Sequence, residues 1–139
     1  MIDKINIRVY AIAIQNKQVL ALFEGYAGDQ LLKFPGGGLE LGESLLECLH
    51  REFMEELGLK IRITDHFYTQ EEFLVSKFRE NEQLLTIYYL VEIQNFAELE
   101  IKDDSIEKIE WISLEQAHNP FTLPIDKVVF EKLQKQFLY

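Results

Sequence analysis

The segment from Gly36 to Gly58 constrains this chain most, because a glycine-rich turn leads directly into an amphipathic helix. The helix is predicted over residues 43–57, and Gly58 supplies the left-handed residue that commonly ends such an element. Apolar residues recur at spacings of three and four along it, and we predict that they face the core: Leu46, Leu49, Phe53 and Leu57.

The same helix carries Glu52, Glu55 and Glu56 at spacings i, i+3 and i+4, which predicts three carboxylates on one face. Like charges at such spacings cost about 0.2–0.5 kcal/mol per pair. The negative end of the helix dipole also disfavours anions in the last turn. A bound cation would offset this repulsion, so the pattern indicates a metal site. The alternative is an acidic helix face that is simply solvated.

Strands are predicted on both sides of the helix from β-branched and aromatic runs, at residues 5–14, 19–23, 31–34, 84–93 and 107–112. Residues 60–77 are predicted to be extended, with a turn at residues 79–82. The run Ser113–Gln116 fits a capping box and predicts a short helix. Pro124 suits the first turn of a terminal helix that ends near Phe137.

These elements predict an α/β fold, an α/β/α sandwich in which a mixed β-sheet lies between helices. The length of 139 residues suits one domain over residues 1–139. A homodimer is compatible with the sequence but is not indicated by any pattern in it.

Charge and composition exclude some classes of partner. The net charge of −10 argues against a nucleic-acid polymer, which needs a basic face. A small phosphorylated substrate remains compatible, because bound metal can supply positive charge. Cys48 is the sole cysteine, so no internal disulfide can form and a reducing compartment fits. No signal peptide or apolar membrane span is recognisable, so we expect a cytoplasmic protein that does not bind membranes.

The spacing of the polar residues resembles the Nudix box. Gly37 is followed after five residues by Glu43, and after seven more by Arg51-Glu52, an apolar residue, Glu55-Glu56, Gly58 and apolar Leu59. Phe34-Pro35-Gly36 precedes the box, and Trp111 lies in a downstream segment that many relatives also carry. Such a combination is far more specific than a lone glycine-rich loop. The compact chain looks like a MutT-type member of the Nudix hydrolases.

The resemblance implies an enzyme that hydrolyses a diphosphate bond in a nucleoside diphosphate linked to another group. It implies Mg²⁺ as cofactor, with Mn²⁺ as a substitute, and a small nucleotide as partner. A nucleoside triphosphate or modified nucleotide, cleaved to a nucleoside monophosphate, is the favoured substrate. The alternatives are a nucleotide-sugar or ADP-ribose pyrophosphatase, a non-catalytic Nudix module that senses a nucleotide, and an acidic cation-binding domain without hydrolysis.

By matching position, the resemblance implies metal ligands at Glu52, Glu55, Glu56 and the main-chain carbonyl of Gly36. Arg51 would orient the carboxylates, and an ordinary surface salt bridge is the alternative for its pairing with Glu43. The other box positions, Gly37, Glu43 and Gly58, would be structural, and Gly37 would permit close backbone approach.

The general base is the least defined role. We expect Glu55 or Glu52 of the helix, which together with Arg51 form the predicted catalytic group. In many relatives a loop glutamate precedes the tryptophan by six residues, and here Ser105 stands at that position. Asp104 and Glu107 are therefore the candidate loop bases.

Two further sets of side chains are candidates for substrate contact, although each is more often core or solvated surface. Aromatic rings that could stack on a base are Tyr10, Phe23, Tyr26, Tyr68, Phe73 and Tyr88. Cations that could meet phosphates are Arg8, Lys33, Lys77 and Arg79.

Overall fold

The computed structural model describes residues 1–26 and 28–138, with the backbone alone described for Tyr26. Within this part the chain forms seven strands and two α-helices, with a 3₁₀ turn at Phe96–Glu98. In chain order they are β1 (Lys4–Gln15), β2 (Gln18–Tyr26), β3 (Asp29–Lys33), β4 (Gly36–Gly38), α1 (Leu45–Leu57), β5 (Ile61–Thr69), β6 (Glu82–Ile93), β7 (Ile106–Ser113) and α2 (Pro124–Leu138).

The sheet is mixed, with the strand order β3-β2-β1-β6-β5. Strand β1 runs parallel to β6 along most of its length, and the other strand pairs are antiparallel. Strands β1 and β2 pair only near their hairpin, after which β2 continues between β3 and β7. The short glycine strand β4 pairs with β1 at Arg8–Tyr10, where β2 has left it.

Alternate residues of β1 serve two separate cores because strand side chains point to opposite faces. Tyr10 and Ile12 pack in the core that includes Val129 and Phe130 of α2. Val9 and Ala11 pack in the core that includes Leu49, Phe53 and Leu57 of α1. The two helices therefore cover opposite faces of the sheet, and the predicted α/β/α sandwich with a mixed sheet is confirmed.

Helix α1 begins at Leu45, two residues after the predicted start, because Ser44 is its N-cap. The Ser44 hydroxyl accepts from the Glu47 backbone N–H, and the Glu47 carboxylate accepts from the Ser44 N–H. The end is as predicted: Gly58 has φ +64° and its N–H donates to a carbonyl of the last turn.

The predicted core stripe was wrong at one position. Leu46 is 43% exposed, whereas Leu45 packs beside the buried Leu49. The spacing of four from residue 45 to residue 57 keeps one line of side chains on the sheet, and residue 46 lies about 100° around the helix from that line. The remaining stripe residues Leu49, Phe53 and Leu57 are buried as predicted.

Most predicted strands are present with ends shifted by a few residues, but three local predictions were wrong. The extended stretch from residue 60 ends at Thr69 as a strand and continues as a loop. The glycine turn contains strand β4. The helix expected at Ser113–Gln116 is a turn, because β7 keeps Ser113 in the sheet and its hydroxyl accepts from the Glu115 N–H.

The terminal helix α2 runs from Pro124 to Leu138, as the position of Pro124 predicted. Among the described residues no helix is both long and apolar enough to cross a bilayer.

Candidate active site

The guanidinium of Arg51 joins three glutamates at the start and middle of α1. It donates to both carboxylate oxygens of Glu43, at 3.0 and 2.7 Å, and to the backbone carbonyl of Gly38 at 3.0 Å. Its third nitrogen donates to Glu52 Oε1 at 2.9 Å and Glu55 Oε2 at 3.2 Å. Such two-pronged contacts fix orientation as well as charge.

The electrostatics of this cluster differ from those of an isolated surface salt bridge. The hydrogen bonds from Arg51 lower the pKa of Glu43 to about 2, and the pKa of Arg51 is raised chiefly by Glu43. Both side chains are largely covered, and Arg51 serves several acceptors at once. The arrangement therefore holds the loop before α1, the helix and the glycine strand together.

Glu56 lies in a different environment from the Arg51 cluster. It is 8% exposed, and its Oε1 atom has no hydrogen-bond partner within the described part of the chain. Burial raises its pKa to about 8; Lys33 opposes that rise, and the charge of Glu52 adds to it. A buried carboxylate oxygen without a partner is costly unless something binds it.

The glycine strand β4 admits close contacts that any other residue would prevent. A β-carbon on Gly37 would lie 2.4 Å from the carboxyl carbon of Glu52. A β-carbon on Gly36, where φ is +146°, would lie 2.1 Å from the carbonyl oxygen of Val9. The next residue faces the other way: a β-carbon on Gly38 would meet Arg8 at 3.5 Å. Backbone alone therefore separates Glu52 from Arg8.

Along β1 lies a cavity of about 590 Å³ whose lining includes five cations. All four cations predicted to meet phosphates line it, together with Lys4, which sequence reasoning missed: Arg8, Lys33, Lys77 and Arg79. Two acids, Glu24 and Glu82, also line it. The cavity thus gathers five of the chain's 14 Lys and Arg residues in a protein of net charge −10.

The inner end of the cavity is built around the ring of Tyr10. The Arg8 Nε donates to the Tyr10 hydroxyl at 2.6 Å, and the Lys33 ammonium lies 5.5 Å from the ring centroid. Lys33 is 4% exposed and its Nζ is 3.4 Å from Glu24. Burial alone would lower the pKa of Lys33, but Tyr10 and Glu24 outweigh it and the net shift is upward. Lys33 therefore keeps a buried positive charge with donors to spare.

A family model for the Nudix domain matches residues 4–133. The chain belongs to the Nudix family. It is accordingly a Nudix pyrophosphohydrolase, and the glycine strand with α1 is its Nudix box.

Solved Nudix structures share this fold. A Nudix hydrolase from Nitrosomonas europaea superposes with a TM-score of 0.81 at 20% identity, over 96% of this chain and 90% of that one. A MutT protein from Methanosarcina mazei Go1 gives 0.78 at 22% identity, over 98% and 97%. A MutT Nudix hydrolase from Burkholderia pseudomallei gives 0.76 at 19%, over 94% and 99%. At these identities the likeness concerns the fold.

Nudix hydrolases generally require a divalent metal, and the donors of this Nudix box fit one. Carboxylate and carbonyl oxygens are the ligands that Mg²⁺ prefers, and the buried Oε1 of Glu56, which has no hydrogen-bond partner within the described residues, is a donor that a cation would satisfy. Glu52, held against Gly37, would be a second ligand. Glu55 and the Gly36 carbonyl remain predicted ligands.

The three helix glutamates are not gathered into a cluster. Glu55 is 61% exposed on its side chain and turned to Arg51, while Glu56 is buried on the next face of the helix. Among residues 1–26 and 28–138 no three His, Cys, Asp or Glu side chains form a metal-binding group.

The loop acids of this Nudix fold lie in different environments. Glu107 is exposed and accepts a hydrogen bond from Gln30, and Asp104 is exposed in a turn. Of the loop acids, Asp103 adds to the raised pKa of Glu56, after burial and the larger effects of Glu52 and Glu24, and it accepts from the N–H and hydroxyl of Ser105. Sequence reasoning missed Asp103 because its only local signal is a serine two residues later, typical of any Asx turn.

The aromatic residues predicted to stack on a base lie in different environments. Tyr10 lines the cavity, whereas Tyr88 is buried and donates to Asp126 at 2.5 Å. Phe73 is exposed, and Tyr68 lies beside Glu72. Phe23 packs under Lys108, and the side chain of Tyr26 is outside the described residues.

Proposed function

We propose that this Nudix enzyme hydrolyses, with Mg²⁺, a diphosphate bond in a nucleoside diphosphate linked to another group. The favoured substrate is a nucleoside triphosphate or modified nucleotide, and a nucleoside monophosphate is released. The observation that supports the proposal is that Gly37 approaches Glu52 while the next residue, Gly38, approaches Arg8 of the cavity, so that a box carboxylate and a cavity cation lie on either side of β4.

The residues have distinct roles in this proposal. Arg8 and Lys33 bind the phosphates of the substrate, because they supply buried or half-buried positive charge at the inner end of the cavity. Arg51 is a positioning residue that holds Glu52 and Glu55. Bound Mg²⁺ would stabilise charge on the attacking and leaving oxygens. The Glu52, Glu55 and Glu56 carboxylates and the Gly36 carbonyl would hold it.

In the reaction, water forms a bond to one phosphorus of the diphosphate and the bridging P–O bond breaks. The proton of that water passes to a carboxylate, and we keep Glu55 or Glu52 as the proposed base. Asp104 and Glu107 remain the proposed loop alternatives, and the position of Asp103 near Glu56 adds a third.

The test is a panel of nucleoside triphosphates, nucleotide sugars, ADP-ribose and dinucleoside polyphosphates, with products identified with and without Mg²⁺. We expect Mg²⁺-dependent release of a nucleoside monophosphate from at least one member. Turnover only of nucleotide sugars or ADP-ribose would replace the favoured substrate class. No turnover, combined with nucleotide binding, would favour a non-catalytic sensing module.

A second test is Glu56→Gln, for which we expect a loss of rate of several orders of magnitude with the fold retained. Unchanged activity would refute the metal assignment.

Several properties remain predictions from the sequence. They are the single domain over residues 1–139, the cytoplasmic location, compatibility with a homodimer, and the lack of nucleic-acid polymer and membrane partners.

A further inference from the structure

The outer end of the cavity holds cations that the hydrolytic site does not use. Lys4, Lys77 and Arg79 line it, and Lys4 lies four residues before Arg8 on β1. Lys77 lies 3.6 Å from Asp29, but neither Lys4 nor Arg79 has a carboxylate within 4.0 Å among the described residues. Like most cations of this chain, Lys4 and Arg79 form no salt bridge within the described residues, so what distinguishes them is the cavity that they share with Lys77.

A hydrogen-bonded turn at Ser76 places Lys77 and Arg79 at the cavity. The Ser76 hydroxyl accepts from the N–H groups of Phe78 and Arg79, both at 3.2 Å. The Ser76 N–H donates to the Glu82 carbonyl at 2.8 Å, which ties the turn to β6. Because β6 runs parallel to β1 with Glu82 beside Lys4, the turn lies at the start of both strands.

The register of β1 separates the two ends of the cavity. Lys4, Asn6, Arg8 and Tyr10 all line it, as expected for alternate residues on one strand face. Four residues of extended chain place the Cα atoms of Lys4 and Arg8 about 13 Å apart. This Cα spacing exceeds the length of a diphosphate, so an anion carried beyond the diphosphate of a substrate bound at Arg8 would lie nearer the outer cations.

We propose that the substrate carries a second phosphate group, remote from the scissile diphosphate, and that Lys4, Lys77 and Arg79 bind it. This inference rests on the proposed function and deepens it by naming a substrate class. The acids nearby limit the cationic excess: Glu82 interacts with Asn6 at 3.5 Å, and Asp29 pairs with Lys77. Arg79 and Lys4 remain available to an anion, and Arg79 suits the two-pronged binding of phosphate.

Matched substrate pairs test the proposal. NADPH and NADH differ by one ribose phosphate, as do coenzyme A and its 3′-dephospho form. Nucleoside di-, tri- and tetraphosphates instead vary the length of the phosphate chain. We expect kcat/KM to favour the more phosphorylated member of the NADPH pair or the coenzyme A pair roughly tenfold or more, as charge-assisted hydrogen bonds would give; a preference confined to the nucleoside polyphosphates would count against a remote phosphate. The series that discriminates identifies where the second phosphate sits.

The residue assignment is tested by the double variant Lys77→Gln/Arg79→Gln. We expect the preference to fall to near unity and its dependence on ionic strength to weaken. The matched control is Lys132→Gln/Arg62→Gln, which also removes one exposed lysine beside an aromatic ring and one exposed arginine, both outside the cavity. The control should keep the preference of the wild-type enzyme.

Binding provides a readout apart from turnover. In the Glu56→Gln background, titration calorimetry with each member of a pair should show tighter binding of the phosphorylated one, and this difference should vanish with Lys77→Gln/Arg79→Gln. Turnover without discrimination in any series would overturn this inference and leave the proposed function intact. Discrimination that survives in the double variant would overturn the residue assignment. Absence of all turnover would instead count against the proposed function.

Discussion

Gly37 and the carboxylate of Glu52 are in such close approach that a β-carbon on Gly37 would lie 2.4 Å from the Glu52 carboxyl carbon. The box glycine and the box glutamate are thus in contact across two elements, β4 and α1, that are separated by the whole loop before the helix. This contact and its neighbours lead to measurable expectations for activity, stability and thiol reactivity.

Gly37→Ala should lower kcat by roughly 10- to 100-fold, because misplacing a catalytic carboxylate by about 1 Å has effects of that size. The fold should survive, since the clash involves the flexible end of Glu52 rather than backbone. Steady-state kinetics and thermal unfolding measure the two effects. Gly38→Ala is the matched control: its β-carbon would make only an ordinary contact at 3.5 Å, so it should change kcat little. Equal activity of both variants would contradict the assigned role of Glu52.

The metal-free protein should lose stability as the pH rises through neutrality. Folding raises the pKa of Glu56 from 4.5 to about 8, so between these values the folded state binds more protons than the unfolded state. The free energy of unfolding should then fall by up to roughly 1.4 kcal/mol per pH unit from this group. Urea unfolding in the presence of a chelator, from about pH 6.5 to about pH 8.5, measures this slope. The range lies above the pKa of Asp126, which is raised to about 6, so Asp126 contributes little to the slope.

In this pH range Glu56→Gln should remove the slope, because the group that titrates is gone. Glu55→Gln, at a largely exposed side chain, should retain it. Saturating Mg²⁺ should also flatten the slope in the wild-type chain, since metal binds the deprotonated carboxylate and stabilises the folded state. A slope unchanged in Glu56→Gln would show that another group is responsible.

Arg51 and Glu43 should behave as one unit. Arg51→Lys loses the two-pronged contact with Glu43 and the bond to the Gly38 carbonyl, so we expect kcat to fall roughly 10- to 100-fold with a smaller change in KM. Glu43→Gln should have a similar effect, and the double variant should be no worse than the more damaged single variant. Multiplied effects in the double variant would mean that the two residues act independently.

Cys48 should resist alkylation in the folded protein. Burial, followed by the negative charge of Glu43, raises its pKa to about 12, so the thiolate is scarce near neutral pH. Mass spectrometry after iodoacetamide treatment should show slow labelling in buffer and rapid labelling in concentrated urea. Rapid labelling without denaturant would indicate that α1 separates readily from the sheet.

Local signals account for what the sequence predicted well. The end of α1 at Gly58 depends on one residue's backbone freedom, and its buried stripe depends on periodicity within the helix. The same periodicity misplaced Leu46, because a spacing of three and a spacing of four diverge around the helix. The capping box at Ser113 failed because the neighbouring sheet pairing outweighed a weak local preference.

The relations between distant segments could not be predicted. Lys33 forms an ion pair with Glu24 because β3 pairs with β2. Their separation of nine residues in the sequence does not predict that contact. Lys33 lowers the pKa of Glu56 and Asp103 raises it. Both effects exist only because the sheet and α1 bring these residues together. Arg8 and Lys33 were predicted to contact phosphates only because they are cations. That they line the same cavity follows from the fold and could not be predicted from the sequence.

The strand of bare glycines has a consequence for altering this enzyme. Because β4 contributes no side chains, only backbone lies between Glu52, which approaches Gly37, and Arg8, which approaches Gly38. Under the proposed roles, substitutions at Lys4 or Arg79 should change substrate selectivity and leave the box carboxylates in place. A side chain at Gly36 or Gly37 would displace its neighbours, so a redesign of this enzyme must keep those two glycines.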